Sequence, residues 1–185
     1  DFLQAKKLPE TLRVWVNTYL GETWEDQGER IDDFDIATHR ENYGDKIPQQ
    51  VVFLTAGIDV QDDRLEMELL GWARDEETFS IEFRTFYGDP SASNVWSDVD
   101  SYLTLEWERE DGRQLGIKAT AIDSGGHHTQ SVYKFCKPRI GRRIFAIKGV
   151  GGEGKPMVGR PSTNNNLKCK LFPIGVDTIK EVVYS

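Results

Sequence analysis

The chain has 185 residues, 38% of them hydrophobic and 11% aromatic, and a formal net charge of −8 at pH 7. That size suits one domain able to bury its own core, while no apolar run approaches the roughly 20 residues of a membrane-spanning helix, which argues against a membrane partner. The acidic balance argues against nucleic acid as well, until its distribution is considered.

Between Lys134 and Lys170 ten basic residues stand against one acid, Glu153, leaving thirteen basic and thirty acidic residues elsewhere. Asymmetry on this scale fits a protein with one face turned to a polyanion. A basic helix and loop that merely balance acidic neighbours would give the same count. Cys136 and Cys169 are far apart and in no metal-binding spacing, which suggests reduced thiols in a cytosolic protein. The start, "DFLQAKKLPETLRVW", has no apolar core of the signal-peptide kind and reads as cut from a longer protein.

In chain order, residues 1–50 read as a linker. Pro9 and Glu10 open a helix, Gly21 breaks it, and the acidic "EDQGERIDDFD" and turn-rich "ATHRENYGDKIPQQ" follow. The core begins at Val51. "VVFLTAGIDVQ" is a strand with Leu54, Ala56, Ile58 and Val60 on one face and Phe53, Thr55, Gly57 and Asp59 on the other. "RLEMELLGWAR" and "TFSIEFRTFYGD" are further strands, and the short turns between the three predict an antiparallel meander. After Pro90, "SNVWSDVDSYLTLEWERE" carries Val95, Val99, Tyr102, Leu103 and Trp107 at helical spacing. "GIKATAIDSGG" is a short strand ending in a glycine turn, "HTQSVYKFCKPRI" a helix running to Pro138, and "RIFAIKGV" another strand. A loop over 151–166 leads to the extended "LKCKLFPIGV" and a last helix from "TIKEVVYS". This order predicts an α/β fold: a mixed sheet, antiparallel strands first and parallel strands after, with helices on its faces.

Two strands end alike, "AGIDVQ" at Asp59 and "TAIDSGG" at Asp123. Ligands of open sheets collect outside the carboxyl ends of strands. If these two strands run side by side and parallel, their carboxylates meet. Paired carboxylates either share a proton or hold a cation, and hard oxygen donors suit Mg²⁺ or Mn²⁺. Two such ions can activate water on one side of a phosphodiester and stabilise the departing oxygen on the other. Thr55, Gly57, Ala119 and Ala121, small residues on the faces of the acids, predict close packing by a helix, the last one. Asp62 and Asp63 read as hairpin-turn residues. Glu66 and Glu68 suit a second tier of ligands or the solvated face of a hairpin. His127 and His128 suit a phosphate contact or the start of the next helix. Lys155, in the glycine-rich "GGEGKP", suits a loop closing over DNA or an ordinary surface lysine. Arg139, Arg142, Arg143 and Lys148 are the candidate phosphate contacts that position DNA without reading its sequence.

"VWVNTYLGETWE", "TAGIDVQDDRLEMELLGW", "AIDSGGHHTQSVYKFC", "FAIKGVGGEGKP" and "LFPIGVDTIKE" together resemble the carboxyl-terminal part of the large terminase subunit of lambda-like phages (GpA-type). The resemblance implies an RNase H/integrase-like nuclease, with residues 51–185 as that domain and 1–50 as the connector from an ATPase motor; this chain carries no G-x-x-x-x-G-K-[ST] loop. It also implies a third carboxylate, carried over to Asp177 in "GVDTIKE", although Thr178 and Glu181 have capping-box spacing and Asp177 equally suits a helix start. Lys155 falls on the family's "GKP" stretch. The implied function is metal-dependent cutting of concatemeric phage DNA, with one or, more fully, two Mg²⁺ or Mn²⁺ ions. Its implied partners are double-stranded phage DNA, the small terminase subunit, the portal protein and the motor, in the host cytoplasm. The alternative is a non-catalytic module that grips DNA or docks the motor on the portal.

Overall fold

The structure is a computed structural model and describes Phe2, Lys6, residues 9–20, Thr38, residues 41–163 and residues 166–183. The acidic stretch 25–35 and the last two residues of the final predicted helix lie outside the described residues. The chain divides into two units, Asp1–Asn42 and Tyr43–Ser185. In the first, helix α1 (Pro9–Trp15) continues into a π-helical turn over Val16–Leu20, and the rings of Trp15 and Tyr19 stack at 5.8 Å.

The second unit is built on one mixed sheet. The meander forms as expected: β1 (Phe53–Val60), β2 (Arg64–Trp72) and β3 (Thr78–Tyr87) pair antiparallel in sequence order. Helix α2 (Ser93–Tyr102) follows, then β4 (Glu106–Glu108) and β5 (Gln114–Asp123). Helix α3 (Thr129–Cys136) runs into a 3-10 turn over Lys137–Arg142, and β6 (Ile144–Val150) follows. The chain closes with β7 (Ser162–Thr163), β8 (Lys170–Gly175) and α4 (Val176–Val183). Strand order is β3-β2-β1-β5-β6-β8-β7, with β4 paired to β5 off this path. β1, β5, β6 and β8 are mutually parallel neighbours. This mixed α/β architecture is consistent with an RNase H-like nuclease fold.

The alternation read in β1 decides which side is core. Leu54, Ala56 and Ile58 are buried, whereas Phe53, Gly57 and Asp59 are exposed. Ala56, Ile58, Leu65, Met67, Ile122 and Ala146 pack under Val95, Trp96 and Val99 of α2 and Val132, Phe135 and Cys136 of α3. A second cluster, with Ile47, Val51, Leu54, Leu69 and Phe79, extends this core toward the start of β1. Cys136 and Cys169 are both free and buried, and burial pushes the Cys136 thiol up to about 12. Among the described residues no helix is long and apolar enough to cross a membrane.

Two expectations need correction. The predicted helix over 93–110 stops at Tyr102, and Trp107 sits on β4 opposite Leu115 of β5. The apolar spacing continues past the helix end because Trp107 fills the same core from a strand. Second, no helix covers Gly57, where an added Cβ would meet nothing within 4 Å among the described residues. Helix α4 instead starts beside β6, with Val176 Cγ2 3.0 Å from the Cβ position of Gly149.

A candidate carboxylate site at the strand ends

In the β1–β5 register Gly57 pairs with Ala121 and Ile58 with Ile122, so Asp59 and Asp123 come next, level with each other. Both share the face of Gly57 and Ala121, because side chains two apart on a strand point the same way. Parallel neighbours lie ~4.8 Å apart, so the two acids leave one face of the sheet from adjacent strands, at their carboxyl ends.

Each acid is held locally. Asp59 Oδ1 accepts the Val60 N–H at 2.9 Å, and Oδ2 accepts from the Gln61 side-chain amide. Asp123 Oδ1 accepts the Gly125 N–H at 2.9 Å. A Cβ at Gly125 would stand 3.3 Å from Asp123 Oδ1, so glycine lets the turn fold tightly over its own carboxylate. The turn is tied down further: Ser124 N–H and Oγ both donate to the Ile147 carbonyl, and Thr129 Oγ1 donates to the carbonyls of Ser124 and Gly126.

Glu66 is the cross-strand partner of Asp59, and Glu68 that of Gly57. Glu66 takes the Arg64 Nε at 2.7 Å, and Glu68 takes the Ser80 hydroxyl at 2.8 Å. Asp62, read as a turn residue, does sit in the β1–β2 turn, and its Oδ1 lies 3.2 Å from His127 Nδ1. His128 is the N-cap residue of α3.

Asp177 lies in the first turn of α4. Its Oδ2 accepts the Gly152 N–H at 2.6 Å, and the Thr178 hydroxyl donates to the Lys155 carbonyl at 2.6 Å. These two bonds hold the glycine-rich loop, and exposed Lys155 with it, against the start of α4. The fit is close: a Cβ at Gly175 would fall 2.6 Å from the Pro156 carbonyl oxygen. Asp177 thus spends one carboxylate oxygen on the loop. Among the described residues no three His, Cys, Asp or Glu side chains are gathered as a ready metal cage. The paired carboxylates themselves are an all-oxygen donor set, partly open to solvent, of the kind that suits Mg²⁺ or Mn²⁺ with outside oxygens completing the shell.

The basic candidates divide. Arg139 and Arg142 grip Asp100 of α2, Arg139 through Nε at 2.9 Å and Nη2 at 2.7 Å, Arg142 through Nη1 at 2.6 Å. The Arg139 guanidinium also lies 4.1 Å from the centre of the Phe135 ring. Arg143 is exposed in the left-handed conformation (φ 59°), and its carbonyl accepts the Thr120 N–H. That level is three residues, or about 10 Å, down β5 from Asp123. Lys148 is exposed on β6, just past Ile147, the partner of Asp123.

Hydrogen bonding to Arg139 outweighs burial and holds the Asp100 carboxyl at about 2, below the ordinary 3.8. A lowered folded value adds stability that is present above the unfolded value and lost as pH falls through the folded one. Stability is thus expected to drop between about pH 4 and pH 2, and Asp100→Asn should flatten that part of the profile. Urea unfolding across this window checks both.

The family described as "Terminase large subunit gpA, endonuclease domain" matches residues 1–185. The chain is 36% identical over 186 residues to the terminase large subunit of Enterobacteria phage P21, and 35% identical over 186 residues to that of Escherichia phage lambda. Each match covers 100% of this chain but 29% of the relative, so the chain spans under a third of the length of these curated relatives. No solved structure matches it significantly.

Proposed function

Because the chain belongs to the family of terminase large subunit endonuclease domains of lambda-like phages, we propose that it is a Mg²⁺- or Mn²⁺-dependent endodeoxyribonuclease that cuts concatemeric phage DNA for packaging. The observation that carries this reading is the level position of Asp59 and Asp123 on parallel neighbours β1 and β5. These two residues would hold the cations, with Asp177 as the third acid. Bound there, a pair of such ions supplies positive charge at the phosphodiester and a water acidic enough to attack it.

The chain's own residues prepare that chemistry. The Gly125 and Val60 N–H groups orient the two carboxylates, so that little reorganisation is needed when charge develops. Lys155, on the loop tied down by Asp177 and Thr178, brings an ammonium to a phosphate oxygen. Arg143 and Lys148 contact the DNA backbone, joined by Arg139 and Arg142 where their charge exceeds what Asp100 neutralises. With a net charge of −8, binding is weak and steeply salt-dependent. Hydrolysis leaves a 5′-phosphate and a 3′-hydroxyl. Residues 1–50 link residues 51–185 to an ATPase motor, and the small terminase subunit and portal protein direct the complex to its DNA in the host cytoplasm.

A plasmid-nicking assay tests the reading. Supercoiled DNA should be nicked and linearised with Mg²⁺ or Mn²⁺ and remain intact with EDTA. DNA bound but never cut under any divalent cation would instead support a gripping or docking module.

A further inference from the structure

Asp59 and Asp123 mark the ends of β1 and β5, and the segments just beyond these ends meet again. Asp62 lies three residues past Asp59 and His127 four past Asp123, and their side chains join at 3.2 Å through Asp62 Oδ1 and His127 Nδ1. Gly126 closes the same gap, its Cβ position 3.7 Å from the Val60 carbonyl oxygen. The Asp62–His127 pair therefore bridges the two strand ends on the rim where the carboxylates sit.

Three features separate His127 from an ordinary surface histidine. Its turn is fixed at both ends by the bonds of Ser124 and Thr129. Because a carboxylate can only accept, the contact assigns the proton to Nδ1 and aims Nε2 away from Asp62. The neighbouring histidine shows the contrast. His128 Nε2 also approaches Asp62 Oδ1, at 4.0 Å, but its side chain is 20% exposed, against 88% for His127. His128 faces inward; His127 faces out.

We propose that His127 is the proton donor to the departing 3′-oxygen, with Asp62 as its positioning residue. The assignment rests on the nuclease reading above. Water oxygen bonds to phosphorus as the P–O3′ bond breaks. The electron pair stays on O3′, which takes the Nε2 proton of His127 in its imidazolium form, the Nδ1 proton staying in its bond to Asp62, while the proton lost by the water passes to solvent. Histidine then regains its proton from solvent.

The test compares one linkage in two short DNA duplexes, one natural and one with sulfur replacing its bridging 3′-oxygen, cut by the full 185-residue chain in Mn²⁺. A thiolate leaves without needing a proton. His127→Gln should slow the natural linkage about 100-fold, the lower end of general-acid contributions, while the sulfur linkage keeps nearly its wild-type rate. Asp62→Asn should shift the ratio the same way by less, and His128→Gln should leave it unchanged. Equal slowing of both linkages, or of neither, overturns the assignment alone. A wild-type chain that cuts neither linkage overturns both the assignment and the nuclease reading beneath it.

Discussion

Asp59→Asn and Asp123→Asn should each reduce DNA cleavage about 1,000-fold, the upper range for removing one preorganised group that meets developing charge. Asparagine keeps the shape and one oxygen, so it can still accept the Val60 or Gly125 N–H that orients the native carboxylate. What it loses is the negative charge that a divalent cation requires. Asp59 is exposed and Asp123 half-buried, so the stability change should stay near 0.5 kcal/mol. The double variant should be little worse than either single one, because residues that act as a unit are not additive. Nicking rates, thermal melts and filter binding on the same preparations separate these effects. Variants that melt and bind normally yet cut at the wild-type rate would remove both acids from the mechanism.

Trp96→Ala should cost about 3–5 kcal/mol, the usual range for deleting a large buried aromatic. Trp96 is 7% exposed and packs against Phe135 with ring centroids 4.8 Å apart, so it joins α2 to α3. Its Nε1–H donates to the Pro90 carbonyl at 2.8 Å, and truncation leaves both a cavity and an unpaired buried oxygen. Since domains are stable by only about 5–15 kcal/mol, much of the total would be lost. Trp96→Phe should cost less, because it keeps the ring packing and gives up the hydrogen bond. Urea denaturation measures both. A Trp96→Ala midpoint close to wild type would mean that the two helices hold the sheet without this contact.

Much of the site's framework was legible because it follows local rules. Period-two alternation in "LTAGIDV" identifies the buried face of β1 and sends Asp59 to the other. The repeat of that ending in "TAIDSGG" is enough to expect two acids at matching strand ends, and the β1–β5 pairing brings them level. Strand β4 was missed because its three residues are too few to show a period, and Trp107 continued the helical spacing of Val99 and Leu103. A signal was present in Asp111-Gly112, a hairpin-turn dipeptide, with Gly112 at φ 83°.

What depended on distant partners was not legible. Arg139 and Arg142 read as free cations, yet Asp100, 39 and 42 positions away, takes up both. No local pattern reports a contact at that separation. The role of Asp177 in holding the Gly152 loop was hidden in the same way, as was the meeting of Asp62 with His127 across 65 positions. The helix expected over Gly57 failed for another reason. Small side chains permit close packing, but nothing in them supplies the partner.

Crystals of the chain soaked in Mn²⁺ and measured at the manganese absorption edge address the central claim most directly. The expected result is anomalous density between the Asp59 and Asp123 carboxylates, at roughly 2.0–2.2 Å from their oxygens, as for a small hard cation. Manganese that binds only elsewhere, or carboxylates whose surroundings stay free of it at saturating concentration, would contradict it.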